Sequence, residues 1–100
     1  MASTHDYEID SRNDNIQIYI DGQFFPRADA KVSVMDSGYL LGDGVWEGIR
    51  LYNNHLIHLE KHLERLYDGA ETIQMDIGIS KSEIKLALEK TLKKNEMISD

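Results

Sequence analysis

One short stretch combines two glycines, a large ring and a cation at alternate positions, a pattern suited to binding an anionic ligand. Those positions are occupied by Gly44, Trp46, Gly48 and Arg50. On a strand their side chains share one face, and an ordinary buried face would carry branched apolar residues there. The glycines leave room either for a closely packed helix or for a ligand, with Trp46 as a wall and Arg50 as the anion partner. The pattern alone leaves both readings open.

Two further charged residues, Glu47 and Arg65, each have a structural and a functional reading. Glu47 lies on the apolar face of the same stretch, where a bare buried carboxylate would be costly, so we predict that it forms an ion pair. Arg65 either pairs with Asp68 three residues along a helix or binds a phosphate or carboxylate. Gly69, one turn further on, costs a helix about 1 kcal/mol relative to alanine and leaves space beside the guanidinium.

The histidines do not predict a metal site. His58 and His62 have helical i, i+4 spacing, but they straddle a predicted strand-to-helix boundary and lack an acidic third ligand at a recognised offset. A phosphate-binding loop, a dinucleotide-binding glycine motif and a serine nucleophile elbow are also absent from the sequence. The chain therefore carries none of the common autonomous catalytic motifs.

The first element predicted to support these residues is a β-hairpin. Isoleucines alternate with other residues from Ile16 to Ile20, and Asp21 and Gly22 then precede Gln23. Alternation around Asp-Gly is a strong hairpin signal. Pro26 cannot donate to a ladder, so we expect it to end the second strand or to lie on an edge.

A second hairpin is predicted to carry the candidate site. A short alternating piece at residues 32–35 is followed by a glycine-rich segment, residues 36–44, which we predict to be a loop. Residues 45–52 then have the pattern of a strand. A tight turn at residues 53–54 leads into its partner, residues 55–59.

Two helices are predicted to follow the strands. The first has an apolar stripe at helical spacing, formed by Leu59, Leu63, Leu66, Ala70 and Ile73. Ser80 and Glu83 have the spacing of a capping box at the start of the second helix, whose stripe is Ile84, Leu88, Thr91 and Leu92. Strands followed by helices predict an α+β fold, a two-layer sandwich of an antiparallel sheet and helices.

Composition restricts the classes of function. One hundred residues suit one domain, and the net charge of −7 disfavours a nucleic-acid or anionic-membrane surface as the main partner. The absence of cysteine excludes disulfides and thiolate sites. Residues 1–15 are predicted to be a flexible polar leader before a domain at residues 16–100. Without a signal peptide or a long apolar run, a cytoplasmic protein is the default expectation.

Two motifs in this order resemble the N-terminal domain of class IV (fold type IV) pyridoxal-phosphate aminotransferases. They are VMDSGYLLGDGVWEGIRLY at residues 34–52 and LEKHLERLYDGA at residues 59–70. The likeness extends over about residues 16–79. It implies the α+β fold of that domain, pyridoxal 5′-phosphate as cofactor, and transamination from an amino acid to a 2-oxo acid.

The resemblance also implies roles for individual residues. Arg65 matches the family's cofactor phosphate-binding arginine, and the strand after the glycine-rich segment lines the substrate pocket, which gives that role to Trp46, Gly48 and Arg50. Leu41 stands at a pocket position that is commonly aromatic in branched-chain enzymes. No catalytic residue is assigned in this chain, because the family's cofactor-binding lysine lies in a second, C-terminal domain. Homodimers are usual in the family.

The resemblance leaves several activities open. The sequence Glu-Gly-Ile-Arg at residues 47–50 favours the branched-chain aminotransferases of this family and an apolar amino acid as substrate. Trp46, in contrast, replaces a phenylalanine or tyrosine that is usual in those enzymes. A D-amino-acid transaminase, an (R)-amine transaminase and an aminodeoxychorismate lyase of the same fold are alternatives. A non-catalytic binding module is an alternative of another class.

Overall fold

The computed structural model describes residues 10–100, which separate into two compact units at Ala30. The first unit contains the predicted hairpin, formed by β1 (Gln17–Ile20) and β2 (Gln23–Pro26). The two strands pair antiparallel with Ile20 opposite Gln23. Asp21 and Gly22 both have positive φ, at 50° and 88°, as the tight two-residue turn of a right-twisted hairpin requires. This prediction is confirmed, and Pro26 ends β2 as expected.

The predicted leader is described only in part. Residues 1–9 lie outside the described residues. Ser11–Asn13 form a single 3₁₀ turn, which begins where the Asp10 carboxylate accepts a hydrogen bond from the backbone N–H of Arg12 at 2.9 Å. A side-chain acceptor at this position satisfies one of the amides that a helix start leaves without a partner.

The second unit begins with a difference from the sequence prediction. Residues 32–35 form no strand, and their apolar side chains are exposed. The predicted loop at 36–44 contains α1 (Ser37–Leu41), a helix of five residues. The carboxylate of Asp36 accepts the N–H of Gly38 at 2.7 Å at one end, and Gly42 closes the other with φ of 74°. Glycine reaches this left-handed conformation without the steric cost that a Cβ brings.

The second hairpin is shorter than predicted. It consists of β3 (Leu51–Tyr52) and β4 (His55–Leu56), joined by Asn53 and Asn54, whose φ angles are 47° and 65°. The tight turn is confirmed. Of the strand predicted at 45–52, only the last two residues form a ladder, although Arg50 extends the pairing by accepting the N–H of Ile57 at 2.9 Å.

Residues 98–100 are hydrogen-bonded along β3 and its turn. The backbone N–H of Asp100 donates to the Leu51 carbonyl and that of Asn54 to the Ile98 carbonyl, both at 2.9 Å. Side chains reinforce this contact, since the Asp100 carboxylate accepts the N–H of Leu51 at 3.0 Å and the Ser99 hydroxyl accepts that of Asn53 at 2.8 Å. The hairpin therefore has a neighbour on its β3 side that the sequence patterns did not predict.

Two long helices, α2 (Leu59–Thr72) and α3 (Lys81–Lys94), complete the second unit as predicted. The core of this unit is small and contains Leu51 of β3 together with Leu63 and Ala70 of α2. The predicted stripe of α2 is correct except for Ile73, which lies beyond the last turn and is exposed. The stripe of α3 is half-buried along its length.

The connection between these helices is held by side chains where it leads into α3. The capping box of α3 is present in full: the Ser80 hydroxyl accepts the Glu83 N–H at 3.1 Å, and the Glu83 carboxylate accepts the Ser80 N–H at 3.2 Å. The hydroxyl of Tyr67 on α2 donates to the Ile79 carbonyl. This anchors the connection to α2 just before α3 begins.

Antiparallel strands followed by helices confirm the predicted α+β class. The antiparallel structure consists of two separate two-stranded sheets. Within residues 10–100, no helix has both the length and the apolar character needed to cross a membrane.

Candidate functional site

The candidate site lies where residues 45–48 run beside α2. Burial alternates along this segment, because Val45 and Glu47 are partly buried whereas Trp46 and Gly48 are exposed. The two predicted faces are therefore correct, even though the segment forms no ladder. The segment and α2 approach closely at Gly69, where an added Cβ would lie 3.4 Å from a methyl carbon of Val45. Gly69 thus lies at contact distance from the segment, and it also lines the groove that contains Arg65.

A surface groove of about 590 Å³ opens between this segment and α2. Three of the predicted site residues line it: Trp46 and Gly48 from the segment, and Arg65 from α2. The indole of Trp46 is 85% exposed, so it is available as an apolar wall. The groove is completed by Val45, Glu47, Leu66 and Gly69.

The other two predicted residues lie outside the lining of this groove. Leu41 is exposed at the end of α1. Arg50 is exposed too, and its Nε donates to the Asp100 carboxylate at 3.2 Å. The structure therefore brings three of the five predicted residues together and gives Arg50 a carboxylate partner of its own.

The main polar feature of the groove is the ion pair between Arg65 and Glu47. Nε of Arg65 donates to one carboxylate oxygen at 2.5 Å, and Nη2 donates to the other at 2.7 Å. This is the two-pronged geometry in which a guanidinium and a carboxylate match best. The ion pair predicted for Glu47 is confirmed, and its partner is Arg65, so the alternative in which Arg65 pairs with Asp68 does not hold.

The two partners differ sharply in exposure. The side chain of Glu47 is only 8% exposed, whereas that of Arg65 is 73% exposed. The hydrogen bond from Arg65, with a second from His62, lowers the pKa of Glu47 to about 2, and the same bond from Glu47 raises the pKa of Arg65. Glu47 is therefore a fixed anion in the wall, and Arg65 is a fixed cation that faces solvent.

His62 is the third member of this cluster, and the sequence reasoning did not connect it with Glu47. Its Nδ1 lies 2.8 Å from the Glu47 oxygen Oε2, and its side chain is 22% exposed. His62 precedes Arg65 by three residues on α2, so both face the same side of the helix. A carboxylate on an apolar face opposite a His-x-x-Arg helix is the signal that could have indicated the cluster.

This arrangement leaves part of the arginine available to a ligand. A guanidinium has five N–H donors in a fixed fork, and Glu47 takes one from Nε and one from Nη2. Within the described residues Nη1 has no acceptor and the side chain is largely exposed, so this nitrogen is available while the rest of the group is held. Such an oriented cation is suited to a carboxylate or a phosphate monoester.

Elsewhere in residues 10–100, no group of three histidine or acidic side chains is placed to hold a metal ion. His58 stands at the start of α2 with φ of 55°, and His62 is engaged with Glu47. The groove combines the exposed guanidinium of Arg65 with the exposed indole of Trp46, an arrangement suited to an anion beside an aromatic wall.

Similarity to known proteins extends over most of the chain. The profile of the family "Amino-transferase class IV" matches residues 44–99, which include the groove and both long helices. The chain is 44% identical over 82 residues to a Methanocaldococcus jannaschii protein named "Putative branched-chain-amino-acid aminotransferase", covering 82% of this chain. It is 36% identical over 83 residues to a D-alanine aminotransferase of Staphylococcus epidermidis, covering 83% of this chain.

A solved structure shares the fold. The branched-chain aminotransferase of the thermophilic archaeon Thermoproteus uzoniensis, solved with norvaline, matches with a TM-score of 0.76 at 29% identity and covers 85% of this chain. The chain covers 30% of that protein, and 28% and 29% of the two relatives above. It therefore spans less than a third of the length of each of these three proteins.

Proposed function

This chain belongs to the class IV aminotransferase family, and we propose that it is the N-terminal domain of a pyridoxal-phosphate aminotransferase. The whole enzyme moves an amino group from an amino acid to a 2-oxo acid. Bound pyridoxal phosphate supplies the electron sink for this transfer. The cofactor-binding lysine belongs to a C-terminal domain outside these residues, so this domain contributes binding and orientation.

The observation that supports the proposal best is that Arg65 is both oriented by Glu47 and exposed. Its guanidinium is held by Glu47 along one edge, is largely exposed, and keeps Nη1 free of acceptors within the described residues. A phosphate carries negative charge on several acceptor oxygens, so an oriented guanidinium is a fitting partner. We assign the cofactor phosphate to Arg65, and one wall of the adjoining pocket to Trp46 and Gly48.

The preferred substrate follows from the apolar character of the wall and from the relatives. The exposed indole of Trp46 and the apolar side chains of Val45 and Leu66 favour an apolar amino acid over a charged one. Branched-chain names occur among both the sequence and the structure relatives. We therefore propose a branched-chain or similar substrate, with Leu41 and Arg50 as additional substrate contacts inferred from the family resemblance.

A second candidate activity is D-amino-acid transamination, which is favoured by the similarity to D-alanine aminotransferases. Turnover of L-leucine, D-alanine and (R)-1-phenylethylamine by the complete enzyme separates the candidates. The branched-chain proposal predicts a clear preference for L-leucine, and a preference for D-alanine would contradict it. We further propose that the enzyme is a cytoplasmic homodimer, as is usual in the family.

The role of Arg65 is tested by Arg65→Ala in the complete enzyme. A hydrogen bond to a charged group contributes about 1.5–3 kcal/mol, so we expect the dissociation constant for pyridoxal phosphate to rise about 10- to 100-fold. The matched control is Lys61→Ala, which removes another cation from α2 one turn earlier, outside the groove lining. Equal affinities of the Arg65→Ala variant and the unchanged enzyme would remove Arg65 from the phosphate site.

A further inference from the structure

We propose that Glu47 is a positioning residue for Arg65, and that His62 holds Glu47, so that the guanidinium presents one fixed edge to a phosphate monoester. This inference rests on the proposed function, since it concerns the same cofactor phosphate. It assigns a role to two residues of the cluster that do not themselves bind the ligand.

The geometry supports a positioning role in three ways. First, both oxygens of Glu47 bond to Arg65, at 2.5 and 2.7 Å, which fixes the plane of the guanidinium as well as its place. Second, His62 bonds to the Glu47 oxygen Oε2 at 2.8 Å, so the carboxylate cannot rotate without losing that contact. Third, the Glu47 side chain is 8% exposed, and its surroundings restrict its movement.

The exposure of Arg65 explains why such a support is needed. An arginine side chain that is 73% exposed would otherwise sample many rotamers, and ordering it would weaken ligand binding. Because Glu47 and His62 already order it in the free protein, that entropic cost is met during folding. The ligand then meets a donor edge in its binding geometry, as in other sites whose ligating groups are held by outer partners.

Electrostatics alone predicts the opposite effect of Glu47. Its negative charge offsets that of Arg65, so removing the charge strengthens the attraction of the groove for an anion. If Glu47 positions Arg65, the same removal weakens phosphate binding, because the orientation is lost. The sign of the change therefore distinguishes the two roles.

The experiment compares Glu47→Gln with Asp68→Asn in the complete enzyme. Both variants remove one negative charge near Arg65, but Asp68 does not contact the guanidinium and lies outside the groove lining. The readout is the affinity of the apoenzyme for pyridoxal phosphate divided by its affinity for pyridoxal, which lacks the phosphate. We expect Glu47→Gln to lower this ratio about tenfold, by analogy with the outer partners of metal ligands, and Asp68→Asn to change it less than about twofold.

Two substitutions of His62 test the second part and remain informative if Glu47→Gln fails to fold. His62→Leu removes the hydrogen-bond donor to Glu47. In His62→Asn the side-chain amide nitrogen lies near the position of Nδ1, so the variant keeps a donor to Glu47. We expect His62→Leu to lower the ratio several-fold and His62→Asn to restore most of it. A role in stability alone would leave the ratio unchanged in both folded variants.

The outcomes separate this inference from the proposed function. If Arg65→Ala abolishes the preference for pyridoxal phosphate while Glu47→Gln maintains or increases it, Arg65 binds the phosphate and the positioning role of Glu47 is overturned. If neither Arg65→Ala nor Glu47→Gln changes the preference, the phosphate site itself is wrong. Lower ratios for Arg65→Ala, Glu47→Gln and His62→Leu support both.

Discussion

Replacing Gly69 with alanine tests how tightly α2 packs against the strand segment of the groove, because two effects of opposite sign meet at this residue. Gly69 lies within α2 and has no positive φ, so alanine fits its backbone and favours the helix by about 0.8–1.0 kcal/mol. The new Cβ would lie 3.4 Å from Cγ1 of Val45, slightly inside the best carbon–carbon separation of about 3.5–4.0 Å.

The balance of these effects favours the variant. A single carbon pair contributes only about 0.1–0.2 kcal/mol of attraction, and a shift of about 0.1 Å relieves the contact. We therefore expect Gly69→Ala to raise the free energy of unfolding by about 0.5–1 kcal/mol. Urea unfolding followed by circular dichroism at 222 nm measures this change, because the signal reports mainly the helices.

Two variants make the test specific. Gly78 has no atom within 4 Å of an added Cβ, but its φ is 83°, so Gly78→Ala should destabilise through backbone strain, by about 1 kcal/mol. Val45→Ala removes Cγ1 and should leave the effect of Gly69→Ala unchanged or larger. The reasoning would be refuted if Gly69→Ala lowered the free energy of unfolding by more than about 0.5 kcal/mol and if adding Val45→Ala restored it. That result would mean that Val45 cannot move away from the new Cβ.

The remaining predictions concern a helix start and the response to acid. Ser80→Ala removes the hydroxyl that caps α3, so we expect a loss of about 1 kcal/mol in the same urea experiment; an unchanged midpoint would contradict a stabilising cap. For Glu47, the folded pKa of about 2 lies below its ordinary value of 4.5. Its ionisation therefore stabilises the fold above about pH 4.5, and this contribution is lost as the pH falls toward 2. Glu47→Gln should flatten the pH dependence of stability in that interval, and parallel pH profiles would argue against it.

The predictions that were confirmed rest on local signals. Asp21 with Gly22, and Asn53 with Asn54, specify tight turns because these residue types tolerate positive φ. The capping box of α3 depends on residues only three apart. α1 was missed because the segment's glycines suggested a loop. The signals that could have indicated it are Asp36 directly before the helix and Gly42 directly after it.

Local patterns also explain which part of the site was predicted: the two faces of residues 45–48 were, whereas their contact with α2 was not. Alternation correctly separated exposed Trp46 and Gly48 from partly buried Glu47, because period two follows from strand geometry alone. The partner of Arg65 was not predicted, because the sequence offered the local Asp68 as a candidate, whereas Glu47 is 18 residues away. The buried carboxylate and the His-x-x-Arg spacing each indicate a residue that needs a partner, but which residue of a strand meets which turn of a helix depends on tertiary packing.

The hydrogen bonds between residues 98–100 and β3 affect the order of folding. The hydrogen bond from Asp100 to Leu51 joins residues 49 apart, and closing a loop of that length costs about 3 kcal/mol of chain entropy. The hairpin turn, α2 and α3 involve contacts much closer in sequence, so they can form before this cost is met. We infer that the contact along β3 closes late in folding and opens early in unfolding, while the helices persist.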